Sequence, residues 1–234
     1  MDTLKIGDIT IDVFRKPIKN IHLRIYPPDG RIQISAPEKM PLDAVRLFAI
    51  TKLEWIKKKQ QEVTHFSRQS KREYVSGENH YFKGNRYRLK VIHQPADPHV
   101  ELQGNQYINL YVRKEASVER RAEILKDWYR RNLSEWLEEL VPKWEKILTV
   151  TVTHWEIKQM KTLWGSCNTK RKSVIFNLEL AKKPLHCIEY IVAHELAHLI
   201  ERSHNERFKM LLDIHVPNWR IVKAQLNEFV VTHH

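Results

Sequence analysis

The sequence has few cysteines and no long apolar run. Its two cysteines, Cys167 and Cys187, cannot form the several disulfides that define small secreted scaffolds. No apolar stretch approaches the roughly 18 residues of a membrane helix, and the first eight residues lack the basic-then-apolar design of a signal peptide. We also find no internal repeat and no low-complexity segment. These absences favour a cytoplasmic, reducing location and argue against a membrane partner.

What the sequence has in excess is positive charge. The net charge is +12 at pH 7 over 234 residues, with a pI near 9.6. Such a balance fits a nucleic-acid partner, an acidic substrate or simply a soluble basic surface. The short clusters Lys57-Lys58-Lys59 and Arg120-Arg121 fall in segments with helical periodicity. We interpret them as solvated helix faces, with nucleic-acid binding as the alternative.

Alternating apolar residues predict a β-rich first half, residues 1–115, with one helix. A hairpin is expected around Pro27-Pro28-Asp29-Gly30, between His22–Tyr26 and the strand that contains Ile32 and Ile34. A helix should begin at Leu42 and extend past Ile56, followed by a polar connector over residues 62–73. The remaining predicted strands are Asp8–Phe14, Tyr81–Phe82, Tyr87–Ile92 and Tyr107–Val112.

The second half, residues 116–234, reads as a helical subdomain with a few strands, so the fold class is α+β. Apolar residues recur at helical spacing from Ser117 to about Leu148. Strands are predicted over Thr149–Ile157 and Val174–Leu180. Pro184 then opens an apolar helix that we expect to end near Arg202.

A metal-binding motif lies on this last helix. His194 and His198 are one turn apart, so both imidazoles can reach a single ion. Glu195 lies beside them, placed to take a proton from a metal-activated water molecule. This is the His-Glu-x-x-His pattern of zinc hydrolases. An ordinary amphipathic helix is the alternative, but an unpaired His or Glu is costly in so apolar a segment.

Three residues compete as the third ligand: Glu201, His204 and His215. Ser203-His204-Asn205-Glu206 resembles a capping box, which predicts that a new helix begins at His204 and turns this imidazole back towards the ion. We therefore favour His204, which leaves one coordination position open for water. The metzincin pattern has the same histidine spacing, but it requires a Gly where Glu201 stands here, and no Met-turn is evident.

These motifs resemble the YgjP-type family of metal-dependent hydrolases, relatives of the SprT-like and minigluzincin peptidases. The resemblance covers nearly the whole chain and is most specific in Leu163–Cys167 and in the run His194–Phe208. It implies a zincin-like metallopeptidase core, with one zinc ion held by His194, His198 and His204 and with Glu195 as general base. The family often has Trp where Lys209 stands here. Weaker matches are Ile21–Ile25, Pro28–Ile32, Ala36-Pro37, Glu54–Ile56 and Tyr81–Asn85.

Other residues near the motif have a structural and a functional interpretation. Trp164, Gly165 and Ser166 form a turn that lines the cleft or only packs on the core. Cys167 is either a buried thiol, which we favour, or a resting-state ligand. By resemblance to zincins, the strand Ser173–Leu180 would be the edge strand that pairs with extended substrate.

On that strand, Phe176 and Asn177 are candidate substrate contacts, with solvent exposure as the alternative for Asn177. Tyr190 and Cys187 are expected to pack, and His186 to lie on the surface. No oxyanion-stabilising residue is identified. Thr232-His233-His234 is expected to be a disordered tail with weak metal affinity at most.

Three functions fit this sequence. The first is a zinc peptidase that cleaves unfolded or flexible polypeptide. The second is a nucleic-acid-associated protease, a hypothesis based on the resemblance to SprT-like peptidases and on the net charge of +12. The third is a metal-stabilised binding module without turnover. The oligomeric state, the native metal and the cleavage specificity are not predicted.

Overall fold

The computed structural model describes residues 2–26, 29–67, 72–160 and 162–228, with side chains omitted for 61–67, 227 and 228. The mixed α+β class is confirmed, with eleven strands and six α-helices in this described part. The chain divides into two compact units, residues 1–72 and 73–234. None of the described helices combines the length and apolarity needed to cross a membrane.

The boundary between the units lies earlier than residue 115, where the sequence changes from strands to helices. The reason is that the later strands and the helices that follow them share a single apolar core. Val100, Leu110, Leu133 and Leu196 all belong to this core. A second, separate core around Ile11 lies in the first unit.

The first unit is a four-stranded sheet with two helices. Alternating apolar residues place Ile9, Ile11 and Val13 on the buried face. The sheet order is β1-β2-β4-β3, in which β2 and β4 are parallel and the other pairs are antiparallel. Its elements are β1 (Asp2–Ile6), β2 (Ile9–Lys16), β3 (His22–Tyr26), β4 (Arg31–Pro37), α1 (Leu42–Thr51) and α2 (Leu53–Ser67).

One expectation for this unit is met and two are corrected. The β3–β4 hairpin is present, although Pro27 and Pro28 of its turn lie outside the described residues. The single predicted helix is two helices, because Lys52 leaves helical geometry and its N–H bonds to Ala49. The predicted connector is helical as far as Ser67, and residues 68–71 lie outside the described part.

The second unit begins with a sheet of the same design. Its order is β5-β6-β8-β7, again with a parallel central pair between two antiparallel pairs. The fold therefore repeats a four-strand motif that the sequence does not reveal. The strands are β5 (Asn79–Phe82), β6 (Asn85–His93), β7 (His99–Gln103) and β8 (Tyr107–Val112).

A long helix and a small sheet follow. The helix α3 (Val118–Leu148) is capped by Ser117, whose Oγ accepts a hydrogen bond from the N–H of Arg120 at 3.2 Å. The strands are shorter than predicted, since β11 gives way to a 3-10 helix at Leu178. The elements are β9 (His154–Lys158), β10 (Gly165–Asn168), β11 (Ser173–Asn177) and the 3-10 helix Leu178–Lys182.

Three helices complete the chain, α4 (Leu185–Ala197), α5 (Glu206–His215) and α6 (Trp219–Glu228). The β5–β6 hairpin tip lies against the start of α4. A Cβ on Gly84 would lie 2.6 Å from Cγ of Pro184. Gly84 has a φ of +81°, a conformation that few other residues adopt without strain. The N–H of Gly84 also donates to the carbonyl of Lys182 at 3.1 Å.

Candidate metal centre

The helix α4 carries most of the candidate site. Its apolar positions, such as Ile188, Val192 and Leu196, are fully buried, which anchors the helix in the core. His194 and Glu195 lie in its last turn, and His198 is its C-cap residue. The helix therefore ends about four residues before the predicted end near Arg202, and the residues after His198 form a loop.

His204 lies in that loop and not on a helix. The residue that caps α5 is Asn205, whose Oδ1 accepts from the N–H of Phe208 at 3.0 Å. The predicted capping box at Ser203 is wrong, because the Asn205 amide satisfies the free N–H at the helix start instead. The loop nevertheless returns the His204 imidazole to the helix, as the ligand prediction required.

Three imidazoles meet at this point. One ring nitrogen from each of His194, His198 and His204 lies within 4.8 Å of the others. Nε2 of His204 is 3.0 Å from Nε2 of His194. Nitrogen ligands of a tetrahedral zinc ion are roughly 3.3 Å apart. The spacing and the donor set therefore fit one zinc-like ion with a fourth position left over.

The electrostatic environment favours the neutral form of two of these rings, His194 and His204. Burial lowers the pKa of His194 to about 3, helped by repulsion from His198, His204 and Lys223. The pKa of His204 is lowered by burial and by repulsion from His198 and Lys223. Neutral imidazoles have the free lone pair that a metal requires. Lys223, on α6, was not identified from the sequence because nothing in the local pattern connects it with the histidines.

Hydrogen bonds orient two of the rings. Nδ1 of His198 lies 3.2 Å from the carbonyl oxygen of Glu201, so an Nδ1–H donates there and leaves Nε2 for a metal. Nδ1 of His194 lies 3.4 Å from the hydroxyl of Tyr190, one turn earlier on α4. Tyr190 is 3% exposed and therefore packs, as predicted. The structure adds its contact with His194.

The ring of Phe208 packs against all three histidine rings. Its ring centroid lies 5.0, 4.7 and 4.8 Å from those of His194, His198 and His204. It is 2% exposed. Its contact with all three rings ties the position of the loop to the docking of α5.

We expect Tyr190→Phe to weaken zinc binding about tenfold without unfolding the protein. The change removes the partner of His194 Nδ1 but retains the buried ring, and losses of this size are usual when a ligand loses its orienting hydrogen bond. Competition with a chromogenic chelator would measure the affinity. Tyr129→Phe is the matched control, since it removes the hydrogen bond to the carbonyl of Tyr81 and not the one to His194. Equal zinc affinities for the two variants would contradict the orienting role.

Glu195 is buried beside the cluster, with 6% exposure. Burial raises the pKa of its carboxyl group to about 8. A metal dication would lower this pKa again, because an opposite charge favours the ionised form.

The side chain of Glu195 lies against Gly165, where a Cβ would be 2.7 Å from Glu195 Oε1. Gly165 is thus a residue of the site because it leaves room for the carboxylate.

The competing ligand candidates lie outside the cluster. Glu201 Oε1 accepts from the N–H of Ser203 at 3.2 Å, and His215 ends α5. Among the described residues neither joins the group of three histidines.

Cys167 is half-buried, and burial together with the charge of Glu195 raises the pKa of its thiol to about 11. It is therefore a protonated thiol at neutral pH, while Cys187 is fully buried in the core.

The predicted substrate contacts separate into two groups. Trp164 and Ser166 are partly exposed and lie with Gly165 on or beside β10. Phe176 and Asn177 are fully buried, so neither can touch a substrate and this expectation is corrected. The Asn177 amide instead holds the preceding loop, donating to the carbonyls of Met160 and Leu163 at 2.9 and 2.7 Å.

The order of the small sheet also corrects the choice of edge strand. The order is β10-β11-β9, so β11 has a partner on both sides. Its backbone is therefore occupied and cannot pair with another chain. β10 and β9 are the edge strands, and the first residue of β10, Gly165, is the one that abuts Glu195. His186 is exposed as expected, and Thr232-His233-His234 lies outside the described residues.

Comparison with known proteins found a matching family model and similar solved structures. The family model of the YgjP-like metallopeptidase domain matches residues 19–229. A search of curated proteins found no match. Two solved metallopeptidase zymogens are similar to part of this chain. The match to Pyrococcus abyssi abylysin covers 38% of this chain and 90% of abylysin, at 19% identity and a TM-score of 0.36. The match to Methanocaldococcus jannaschii jannalysin covers 39% of this chain and 94% of jannalysin, at 21% identity and a TM-score of 0.35. The similarity to these two is too low to carry any further argument.

Proposed function

Because the chain belongs to the YgjP-like metallopeptidase family, we propose that it is a zinc-dependent peptidase acting on unfolded or flexible polypeptide. The observation that supports this best is the convergence of His194, His198 and His204 beside the buried carboxylate of Glu195. Three imidazoles suit zinc, and a buried carboxylate in the same helical turn suits a general base.

Glu195 does the proton chemistry in this proposal. A zinc ion bound by the three histidines would acidify a water molecule and polarise the substrate carbonyl. Glu195 takes the proton from the attacking water and passes it to the amide nitrogen that leaves. Burial helps this step, because a carboxylate shielded from bulk water has a pKa closer to neutrality.

The edge strand β10 offers the means of holding the substrate. An extended chain can add to its free edge through backbone hydrogen bonds, which recognise any sequence. Folded proteins rarely present such an unpaired segment, so this mode selects unfolded chains. Ser166 and Trp164 lie on or next to this strand and are partly exposed. We assign both side chains to the substrate-facing side.

We expect Gly165→Ala to lower activity about 10- to 100-fold while zinc affinity is retained. The added methyl group would overlap Glu195, and a displacement of the base by about 1 Å is enough for a loss of that size. The rate of peptide cleavage and the zinc affinity would be measured together. Ser173→Ala, on β11 at the opposite end of the β10–β11 pair, is the control expected to stay within a few-fold of wild type.

The proposal is tested by assaying metal-free and zinc-loaded protein on unfolded casein and on a stably folded protein. Cleavage of casein only after zinc loading, with the folded protein left intact, is the expected result. If neither zinc nor another divalent ion restores cleavage, the peptidase proposal is wrong, and bound zinc that raises the melting temperature without cleavage would favour a metal-stabilised binding module.

A further inference from the structure

The outer face of the sheet β5-β6-β8-β7 is basic and aromatic. Arg86, Arg88 and Lys90 alternate along β6 and are all exposed. The register places Tyr81 beside Arg86 and Tyr107 beside Arg88. Each guanidinium therefore has a tyrosine as its neighbour across the strand, on the same face. Tyr81 is 45% exposed, and Lys90 Nζ lies 5.8 Å from the ring centroid of Tyr107.

The fold does not require these cations. Counted from the hairpin turn, the positions of Arg86, Arg88 and Lys90 on β6 correspond to Thr10, Asp12 and Phe14 on β2. The two strands bury their alternate residues in the same way. The first sheet thus accepts a hydroxyl, a carboxylate and an aromatic ring where the second has three positive charges. The positive charge of this face is therefore not a requirement of the four-strand motif that the two sheets share.

A cavity lies at one end of this face. Its volume is about 280 Å³. Arg86 and Arg88 line it together with Tyr107 and the amides of Asn79 and Gln106. Cations, an aromatic ring and amides in one recess match the phosphate, the base and the hydrogen-bonding edge of a nucleotide.

The same face contains an unsatisfied acceptor. Asn109 lies beside Lys90 in the register and is 7% exposed. Its Nδ2 donates to Gln103 Oε1 at 3.3 Å, whereas its Oδ1 has no hydrogen-bond partner within the described part of the chain. A buried carbonyl oxygen without a partner is rare and is stabilised by any ligand that brings a donor.

The geometry points to single-stranded nucleic acid as the ligand of this face. Arg86, Arg88 and Lys90 would contact successive phosphates, and Tyr81 and Tyr107 would stack on bases. Base stacking distinguishes this ligand from an acidic peptide, which has no rings to place on the tyrosines. It also distinguishes it from a duplex, whose bases are already stacked on each other. The assignment does not depend on the proposed peptidase activity.

The test measures fluorescence anisotropy of labelled 12-residue oligonucleotides, single-stranded DNA and RNA, with the full zinc-loaded chain over a range of salt concentrations. We expect salt-dependent binding to at least one single strand and weaker binding to a duplex. Arg86→Thr with Arg88→Asp copies the first sheet and should therefore fold. It should weaken binding tenfold or more and reduce the slope of log Kd against log salt by about 1.4, roughly 0.7 per lost phosphate contact.

Matched controls separate this surface from charge alone. Lys57→Thr with Lys58→Asp makes the same change of charge on α2, where both lysines are exposed, and should keep wild-type affinity. Tyr107→Ala should weaken binding about tenfold at unchanged charge. The proposal is overturned if the α2 variant loses as much affinity as the β6 variant. It is also overturned if duplex or polyglutamate competes as well as the single strand, or if no oligonucleotide binds at low salt.

Discussion

Glu195→Gln should reduce peptide cleavage by about 10²- to 10⁴-fold while the protein stays folded and binds zinc. A general base contributes an acceleration of that order, and the amide cannot accept the proton. The substitution suits the buried position, since Gln has nearly the same shape. In the metal-free protein the carboxyl group is largely protonated at neutral pH, because burial raises its pKa to about 8. A neutral amide resembles that state and should not lower the melting temperature.

The measurement combines a cleavage assay on unfolded casein with determination of bound zinc by metal analysis. Glu201→Gln is the matched control, because it changes a carboxylate close by in the chain whose role is a hydrogen bond to the Ser203 N–H. The control should keep its activity. A Glu195→Gln protein that cleaves at more than a tenth of the wild-type rate would exclude Glu195 as the base. Loss of zinc together with activity would instead indicate a role in building the site.

His204→Ala should weaken zinc binding by at least about 100-fold, more than the loss of an orienting hydrogen bond. Two imidazoles on α4 remain, but a three-ligand site becomes a two-ligand site. Zinc at about 100 times the wild-type Kd stabilises a folded protein by about 2.7 kcal/mol. The variant should lose most of this stabilisation at the same zinc concentration, because far less metal is bound.

Chelator competition gives the affinity, and thermal melts with and without zinc give the linked stability. His215→Ala is the control: it removes the rival histidine at the end of α5, which lies outside the group of three. Undiminished zinc binding by His204→Ala would show that the ligand set is wrong. A matching loss in His215→Ala would show that both changes act through α5 and not through coordination.

The parts of the site that sequence reasoning predicted are those encoded locally. His194, Glu195 and His198 follow from helical spacing alone. His204 required only that the helix should end before it. The reason given for that end was inaccurate, because Ser203 and Asn205 are both good caps and a sequence does not show which side chain reaches the free N–H.

The parts that sequence reasoning missed depend on strand pairing over long distances. β11 looks like an edge strand until β10 and β9 are seen on its two sides. Asn177 alternates as an exposed residue would, but a loop folds over its amide. The duplicated sheet was invisible because the two copies share the burial of alternate residues and not their identities. That Gly165 leaves room for the Glu195 side chain could be learned only from a distance measured in the structure.

The unequal exposure of the three histidines has a consequence for the rate of metal exchange. His204 is exposed and belongs to a loop, whereas His194 and His198 are half-buried on α4. We therefore expect His204 to release a bound ion first, so that a chelator would compete with the two remaining histidines, His194 and His198. Phe208 should slow this release because it packs against all three rings. The lifetime of the bound ion would then be governed by how often α5 loosens and less by the strength of the metal–nitrogen bonds.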